Sequence, residues 1–257
     1  MRPAAEGRDA DVAADDSIRV LIDPPLDGPT NMARDEALLR RVACGEAAAT
    51  IRLYEWQPPT LSLGYFQAYD DVSRQPPAIR SMPVVRRLTG GGAIVHADEL
   101  TYSLIVPNDS PLLREGPVGL YALVHDAAVE LLAAHGIPAR RAGRSEAVNS
   151  QRGPFLCFER RDGLDVVVGP HKVLGSAQRR TGGAVLQHGS LQLSGLPPSA
   201  RTGTSLPPPG ELAGAFVAAV ARRANLRPVP AQWCAECLAL AEELFGKYAG
   251  AAWTRQR

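Results

Sequence analysis

The chain has 257 residues, 45% of them apolar and 21% charged. That is the composition of an ordinary globular protein, with length for one large domain or two small ones. With 28 basic against 27 acidic residues and a net charge of +1, no overall field argues for nucleic acid or an anionic membrane. No apolar run in the sequence approaches a membrane span.

Residues 1–16 carry no hydrophobic segment, so they read as a disordered tail and not as a secretory signal. Four cysteines without such a signal imply reduced thiols and a cytoplasmic location. Ile18 to Ile22 reads as a first strand. Asn31 then caps a helix with Asp35 and Glu36 in its early turns, and Gly45 ends it. Ile51 to Trp56 alternates as a strand, Pro58-Pro59 interrupts it, and Leu61 to Tyr65 resumes. Val84–Leu88, Ala93–His96 and Leu100–Val106 give three short strands around a triple glycine. Between Gly119 and His135, Leu120, Leu123, Val124, Ala127, Ala128 and Leu131 share one face of a helix that Gly136 ends.

Residues 138–154 are polar and arginine-rich and read as a loop. Leu164–Val168, a Gly169-Pro170 turn and the segment from His171 form a hairpin, and Ala184–Leu193 is a further strand. Residues 195–210 hold five prolines and read as a linker to two helices near 211–224 and 231–247. Clustered strands with interspersed helices, and no regular βαβ alternation, predict an α+β fold with a mixed, mainly antiparallel sheet flanked by helices. We expect residues 17–257 to form a single catalytic domain.

Two stretches carry the chemistry. In the first, Arg86-Arg87 precede Gly90-Gly91-Gly92 and His96. A triple glycine alone is as much a turn as a ligand loop, and it has neither Rossmann nor P-loop spacing. Adjacent guanidinium and imidazole donors suit a carbonyl or phosphate. In the second, Lys172 leads into Gly175 and Ser176, and Gln187-His188-Gly189 follows on the next strand. An edge-strand lysine is ordinarily solvated. An inward one among glycine and serine would be a desolvated ammonium able to orient a thioester carbonyl. Cys157 sits between Leu156 and Phe158, where a buried thiol is the plain reading. It follows the polar loop, however, and Lys172 stands fifteen positions later across the hairpin, close enough in principle to stabilise a thiolate. Cys234 and Cys237 lack a second pair for zinc and read as core packing on a helix face; no metal site is expected. Cys44 reads as structural, and His125 and His135 read as solvated helix positions.

Taken jointly, seven segments resemble the superfamily of lipoate–protein ligases, octanoyltransferases and biotin ligases. They are N-M-A-R-D-E-A-L-L at 31–39, L-S-L-G-Y-F-Q at 61–67, R-R-L-T-G-G-G-A-I-V-H at 86–96, E-L-T-Y-S at 99–103, C-F-E at 157–159, K-V-L-G-S-A-Q-R-R at 172–180 and L-Q-H-G-S at 186–190. The chain is most similar to the Gram-positive-type octanoyltransferases of lipoate biosynthesis. The resemblance implies a biotin/lipoate ligase-like catalytic domain and a two-step acyl transfer. Cys157 would take an octanoyl group from octanoyl–acyl carrier protein as a thioester. The group would then pass to a lysine of a lipoyl domain or of the glycine cleavage H protein. Lys172 would pair with Cys157, while Arg86, Arg87, Gly90, Gly91, Gly92, His96, Gly175, Ser176, Gln187, His188 and Gly189 would bind substrate. No cofactor is then required. The alternative within the superfamily is a lipoate–protein ligase working through lipoyl-AMP, which needs ATP and Mg²⁺. A lipoyl-domain amidotransferase and a non-catalytic acyl-carrier-binding paralogue are further alternatives. Members usually place an aspartate directly after the motif histidine. Here Ala97 stands there and Asp98 comes next, a one-residue slip that reverses side-chain direction in a strand and puts the orientation of His96 in question.

Overall fold

The computed structural model describes residues 16–143, 153–192 and 207–257. All but the last residue of the expected 1–16 tail, most of the expected 138–154 loop, most of the proline-rich linker and the last residue of the 184–193 strand lie outside them. Strand β1 (Ser17–Ile22) leads into helix α1 (Gly28–Ala43), then β2 (Thr50–Tyr54), β3 (Thr60–Leu63) and a one-turn helix α2 (Pro77–Arg80). Strands β4 (Val84–Arg86), β5 (Ile94–His96) and β6 (Glu99–Pro107) precede helix α3 (Gly116–Ala134). Then come β7 (Ala139–Arg141), β8 (Val166–Val168), β9 (His171–Arg180) and β10 (Ala184–Gln192). Helix α4 (Pro209–Ala224), β11 (Arg227–Pro230), α5 (Ala235–Ala249) and a terminal turn α6 (Ala251–Thr254) complete the described chain.

Eight strands form one sheet in the order β11-β1-β2-β6-β10-β9-β8-β7, and β4-β3-β5 form a second. In the large sheet β1 runs parallel to β11 and β2, and every other pair is antiparallel. The expected mixed, mainly antiparallel sheet flanked by helices is thus observed. Side chains alternate across its two faces. Leu100, Tyr102, Leu104 and Val106 of β6 join Val185 and Leu191 of β10 in a core with Leu120, Val124 and Leu131 of α3 and Phe216 and Val220 of α4. On the opposite face Ile105 and Leu186 pack with Leu38, Leu39 and Val42 of α1 and Cys237 of α5.

Several boundaries differ from the expectations. Helix α1 begins four residues early, capped by Asp27, whose carboxylate accepts from the Thr30 amide at 2.8 Å. Asn31 is instead fully buried and ties the helix to neighbouring backbone at Leu26 O and Glu55 O. Residues 139–141, expected in a loop, form edge strand β7, and β11 precedes the last long helix at the other edge. Helix α3 is long and apolar enough by composition to cross a membrane, contrary to the expectation that no segment approaches this. Its apolar face is occupied by the core just described.

Candidate active site

Arg87 organises the glycine loop. Its guanidinium donates to Ser62 O (2.9 Å), Ser62 Oγ (2.8 Å), Gly90 O (3.0 Å) and Gly92 O (2.6 Å), curling residues 90–92 around a buried cation. Burial pushes Arg87 down to about 10, so it keeps its charge at neutral pH. Arg86 points the other way, as alternation at a strand end requires. Its donors go to Thr254 O and to Gly64, Tyr65 and Gln67 carbonyls, pinning the 64–67 loop to the C-terminal turn. It lines neither cavity described below, so its observed part is structural.

The inner curve of the loop meets the cysteine. The Cys157 amide donates to Ala93 O at 2.7 Å, and the Ala93 amide donates to Phe155 O at 2.9 Å. This pairing leaves no room beside Gly92: a Cβ there would stand 2.9 Å from both Cα and N of Cys157. Cys157 opens a short 3₁₀ turn through Glu159. Lys172 reaches across from β9, with Nζ 3.7 Å from Cys157 Sγ and 3.3 Å from Cys157 O. The lysine is inward and nearly fully buried, and Asp165 holds it in an ion pair at 2.8 Å. Burial outweighs the attraction of Lys172 and leaves the Asp165 carboxyl above its ordinary value.

Two cavities meet at Cys157. One is predominantly apolar and lies between α1 and the sheet; Met32, Tyr54, Trp56, Ile94 and Ala177 line it, with Gly90, Gly175 and Gly189 opening its walls. The other is a polar vestibule with Arg160, Arg161, Asp162, Asp165 and Lys172 around its walls. Gly91, Cys157 and Ser176 line both. A flexible apolar chain in the first cavity would present its carboxyl end to the cysteine, and a second reactant would approach through the vestibule.

Three histidines surround this junction, each tied to a hydroxyl and to a fixed acceptor. His96 Nε2 lies 2.7 Å from Ser62 Oγ, its Nδ1 contacts Glu99 Oε1, and Trp56 stacks on the ring at 3.8 Å. Burial alone would raise the Glu99 carboxyl. The adjacent His96 and hydrogen bonds from His96, Ser190 and Thr101 bring it below its ordinary value. The carboxylate that meets His96 is Glu99, three residues on, while Asp98 is exposed. His188 Nε2 lies 2.5 Å from Thr89 Oγ1, and its Nδ1 lies 3.3 Å from Asp35 Oδ2. Asp35 is itself held by Arg52 (2.7 Å), Tyr54 (2.9 Å) and Ser103 (2.8 Å). His125, expected to be solvated, is buried, with Nε2 2.7 Å from Ser176 Oγ and Nδ1 2.5 Å from Leu164 O.

The structure thus gathers Cys157, Lys172, Arg87, Gly90–Gly92, His96, Gly175, Ser176, His188 and Gly189 around the two cavities. Gln187 alternates to the opposite sheet face, where it donates to Tyr102 OH (2.8 Å) and Leu120 O (3.3 Å). Glu99, Asp165, Trp56 and His125 are additions to the expected set. His125 was legible: with Ala128 and Leu132 it falls at i, i+3, i+7 on the buried stripe of α3. Cys234 and Cys237 adjoin the core below α1, as expected, and among the described residues no group of three or more His, Cys, Asp or Glu side chains is placed to hold a metal ion.

The sequence profile of the lipoyl protein ligase A/B catalytic domain matches residues 27–200. Octanoyltransferase LipM of Moorella thermoacetica is 39% identical over 176 residues, which is 68% of this chain and 64% of that protein. Octanoyltransferase LipM of Exiguobacterium sp. is 42% identical over 169 residues, 64% of this chain and 61% of that protein. The matched region is therefore less than two thirds of either relative. Among solved structures, lipoate-protein ligase A bound with ATP superposes with a TM-score of 0.70 at 21% identity, covering 93% of this chain and 98% of that one. A bi-partite lipoate protein ligase from Thermoplasma acidophilum gives 0.67 at 20%, covering 93% and 95%. These two likenesses establish the fold.

Proposed function

Because the chain belongs to the lipoyl protein ligase A/B catalytic-domain family, we propose that it is an octanoyltransferase. It moves an octanoyl group from an acyl carrier protein thioester to a lysine of a lipoyl domain or H protein, through a thioester on Cys157. The supporting observation is the position of Cys157, with the Lys172 ammonium 3.7 Å from its sulfur, where an apolar cavity meets a polar vestibule. Relatives that match 68% and 64% of this chain carry the name octanoyltransferase. A solved neighbour was studied with its E2 lipoyl domain, which supports the choice of acceptor.

In the first half-reaction the Cys157 thiolate attacks the octanoyl carbonyl carbon, the carbon–sulfur bond to the carrier breaks, and the carrier sulfur leaves as thiolate. Lys172 faces the sulfur at 3.7 Å, and its ion pair with Asp165 fixes the ammonium in place. The apolar cavity receives the acyl chain; Arg87 keeps the glycine loop closed around its wall. In the second half-reaction the acceptor amine attacks the same carbon from the vestibule and Cys157 leaves as thiolate. The acyl group enters already activated as a thioester, so this reading calls for no nucleotide.

The test is intact-protein mass measurement after mixing the enzyme with octanoyl–acyl carrier protein without ATP. A hydroxylamine-labile octanoyl adduct, absent in Cys157→Ala, is expected. Lipoylation of an acceptor only with lipoate, ATP and Mg²⁺, and no adduct, would place the protein with the ligases.

A further inference from the structure

Passing the acyl group from Cys157 to an amine leaves a surplus proton on the amine nitrogen, which must come off for the amide to form. Cys157 must leave as thiolate, and the Lys172 ammonium is a donor only. Asp165 Oδ2 already receives Lys172 (2.8 Å) and the Asp162 amide (2.7 Å). Resting on the octanoyl-transfer reading, we propose that Ser176 and His125 form a proton relay that removes this proton during the second half-reaction.

The direction of every hydrogen in the relay follows from its partners. Leu164 O can only accept, so His125 Nδ1, at 2.5 Å, carries the ring hydrogen. Burial holds His125 down to about 4, so the ring is neutral at pH 7 and Nε2 is an acceptor. Ser176 Oγ, 2.7 Å away, therefore donates to it. Tyr102 OH, 2.7 Å from Ser176 Oγ, must then donate to the serine. Gln187 Nε2 donates to Tyr102 OH at 2.8 Å, and Gln187 Oε1 accepts from Gln178 Nε2 at 2.7 Å. This ordered chain leaves Ser176 Oγ one lone pair. Ser176 lines both cavities with Cys157, and His125 lines the vestibule. Gly189 makes room for the hydroxyl, since a Cβ there would press on Ser176 Oγ and stand 2.7 Å from the Tyr102 ring.

The step balances without a co-reactant. The amine nitrogen bonds to the octanoyl carbon and the carbon–sulfur bond to Cys157 breaks, its electron pair staying on sulfur beside Lys172. The surplus proton on nitrogen moves to Ser176 Oγ as the serine's own proton moves to His125 Nε2. The imidazolium keeps its Nδ1 hydrogen on Leu164 O and returns the Nε2 proton through Ser176 Oγ to water in the vestibule. Ser176 touches the amine; His125 acts through it as a positioning residue.

The experiment uses full-length enzyme preloaded with octanoyl on Cys157, in wild type, His125→Asn and Ser176→Ala. Discharge is timed onto a lipoyl-domain lysine and, separately, onto hydroxylamine, a weakly basic nucleophile that sheds its proton to water. The expected result is a fall of roughly 10²-fold or more for the lysine, the range of a lost general base, with a much smaller change for hydroxylamine. Equal slowing onto both nucleophiles, or no slowing onto lysine in either variant, overturns the relay. A wild-type enzyme that acquires no octanoyl group overturns the transferase reading itself, and is read out before any variant is compared.

Discussion

Substituting Lys172 by methionine removes an ammonium that touches both Cys157 and Asp165. Two effects follow, and they separate. Loss of the charge beside the sulfur is expected to cut transfer by roughly two to four orders of magnitude. Breaking a buried ion pair from one side is expected to cost about 3–5 kcal/mol of stability. Adding Asp165→Asn removes the stranded carboxylate, so thermal denaturation of the double variant should recover most of that stability while octanoyl transfer stays lost. Recovery of both would make Lys172 a packing residue. Gly92→Ala tests the approach of the loop to Cys157. With 2.9 Å available to the Cys157 backbone, the added methyl must displace Cys157 from Ala93. Acyl-enzyme formation, followed by mass, should fall at least tenfold, a displacement effect of the kind that misplaces reacting atoms. The meeting of Cys157 with Lys172 was readable because both residue types are demanding. Residue chemistry was not readable where alternation decides the outcome. Arg86 and Arg87 are neighbours of one chemistry, yet one holds the C-terminal turn and the other the glycine loop. Gln187 and His188 divide between sheet faces in the same way.

At the scale of elements, helix α1 is where cap chemistry and burial compete. Asn31 has a capping side chain, but its amide oxygen accepts from Arg52 at 2.7 Å and its nitrogen serves two carbonyls. Asp27 performs the capping instead. Asp27→Ala is expected to cost about 1 kcal/mol, a fall of about 2–4 °C in melting temperature for a chain of this size. A fall of ten degrees would show that Asp27 holds more than the helix end. The central strands were legible because both faces of β6 and β10 are buried, giving nearly unbroken apolar and small-polar runs. The two missed strands, β11 and β7, are the sheet's two edges. β11 contains Pro228 and Pro230, which an edge tolerates because a proline there need not donate to a second neighbour. β7 is three residues long and carries Arg140 and Arg141, which resembles a loop until β8 pairs with it. Edge strands contribute little periodicity, and it is periodicity that sequence reading detects.

Over the whole molecule, buried titratable groups make the fold sensitive to acid. His125 falls to about 4 and His188 also falls below its ordinary value, in both cases because burial disfavours the charged ring. A histidine whose folded value is depressed binds more protons when unfolded. Its neutral form stabilises the fold fully above the unfolded value of about 6.5, and that contribution is lost as pH falls toward the folded value. For His125 the loss amounts to roughly 3 kcal/mol between pH 6.5 and 4. Asp35 and Glu99 are depressed as well, because their ion and hydrogen-bond partners outweigh burial. They protect the fold above the ordinary carboxylate range and lose that effect only below it. Melting temperature should therefore decline from pH 7 to pH 5 as the buried histidines are required to charge, against the opposite effect of the raised Asp165 carboxyl, and collapse further below pH 4 as the depressed carboxylates protonate. His125→Asn should flatten the first part of this decline while leaving the second. If the variant loses as many degrees as wild type between pH 7 and pH 5, the imidazole is not carried neutral in the folded protein, and the ordered chain from Leu164 O through Ser176 to Gln187 fails with it.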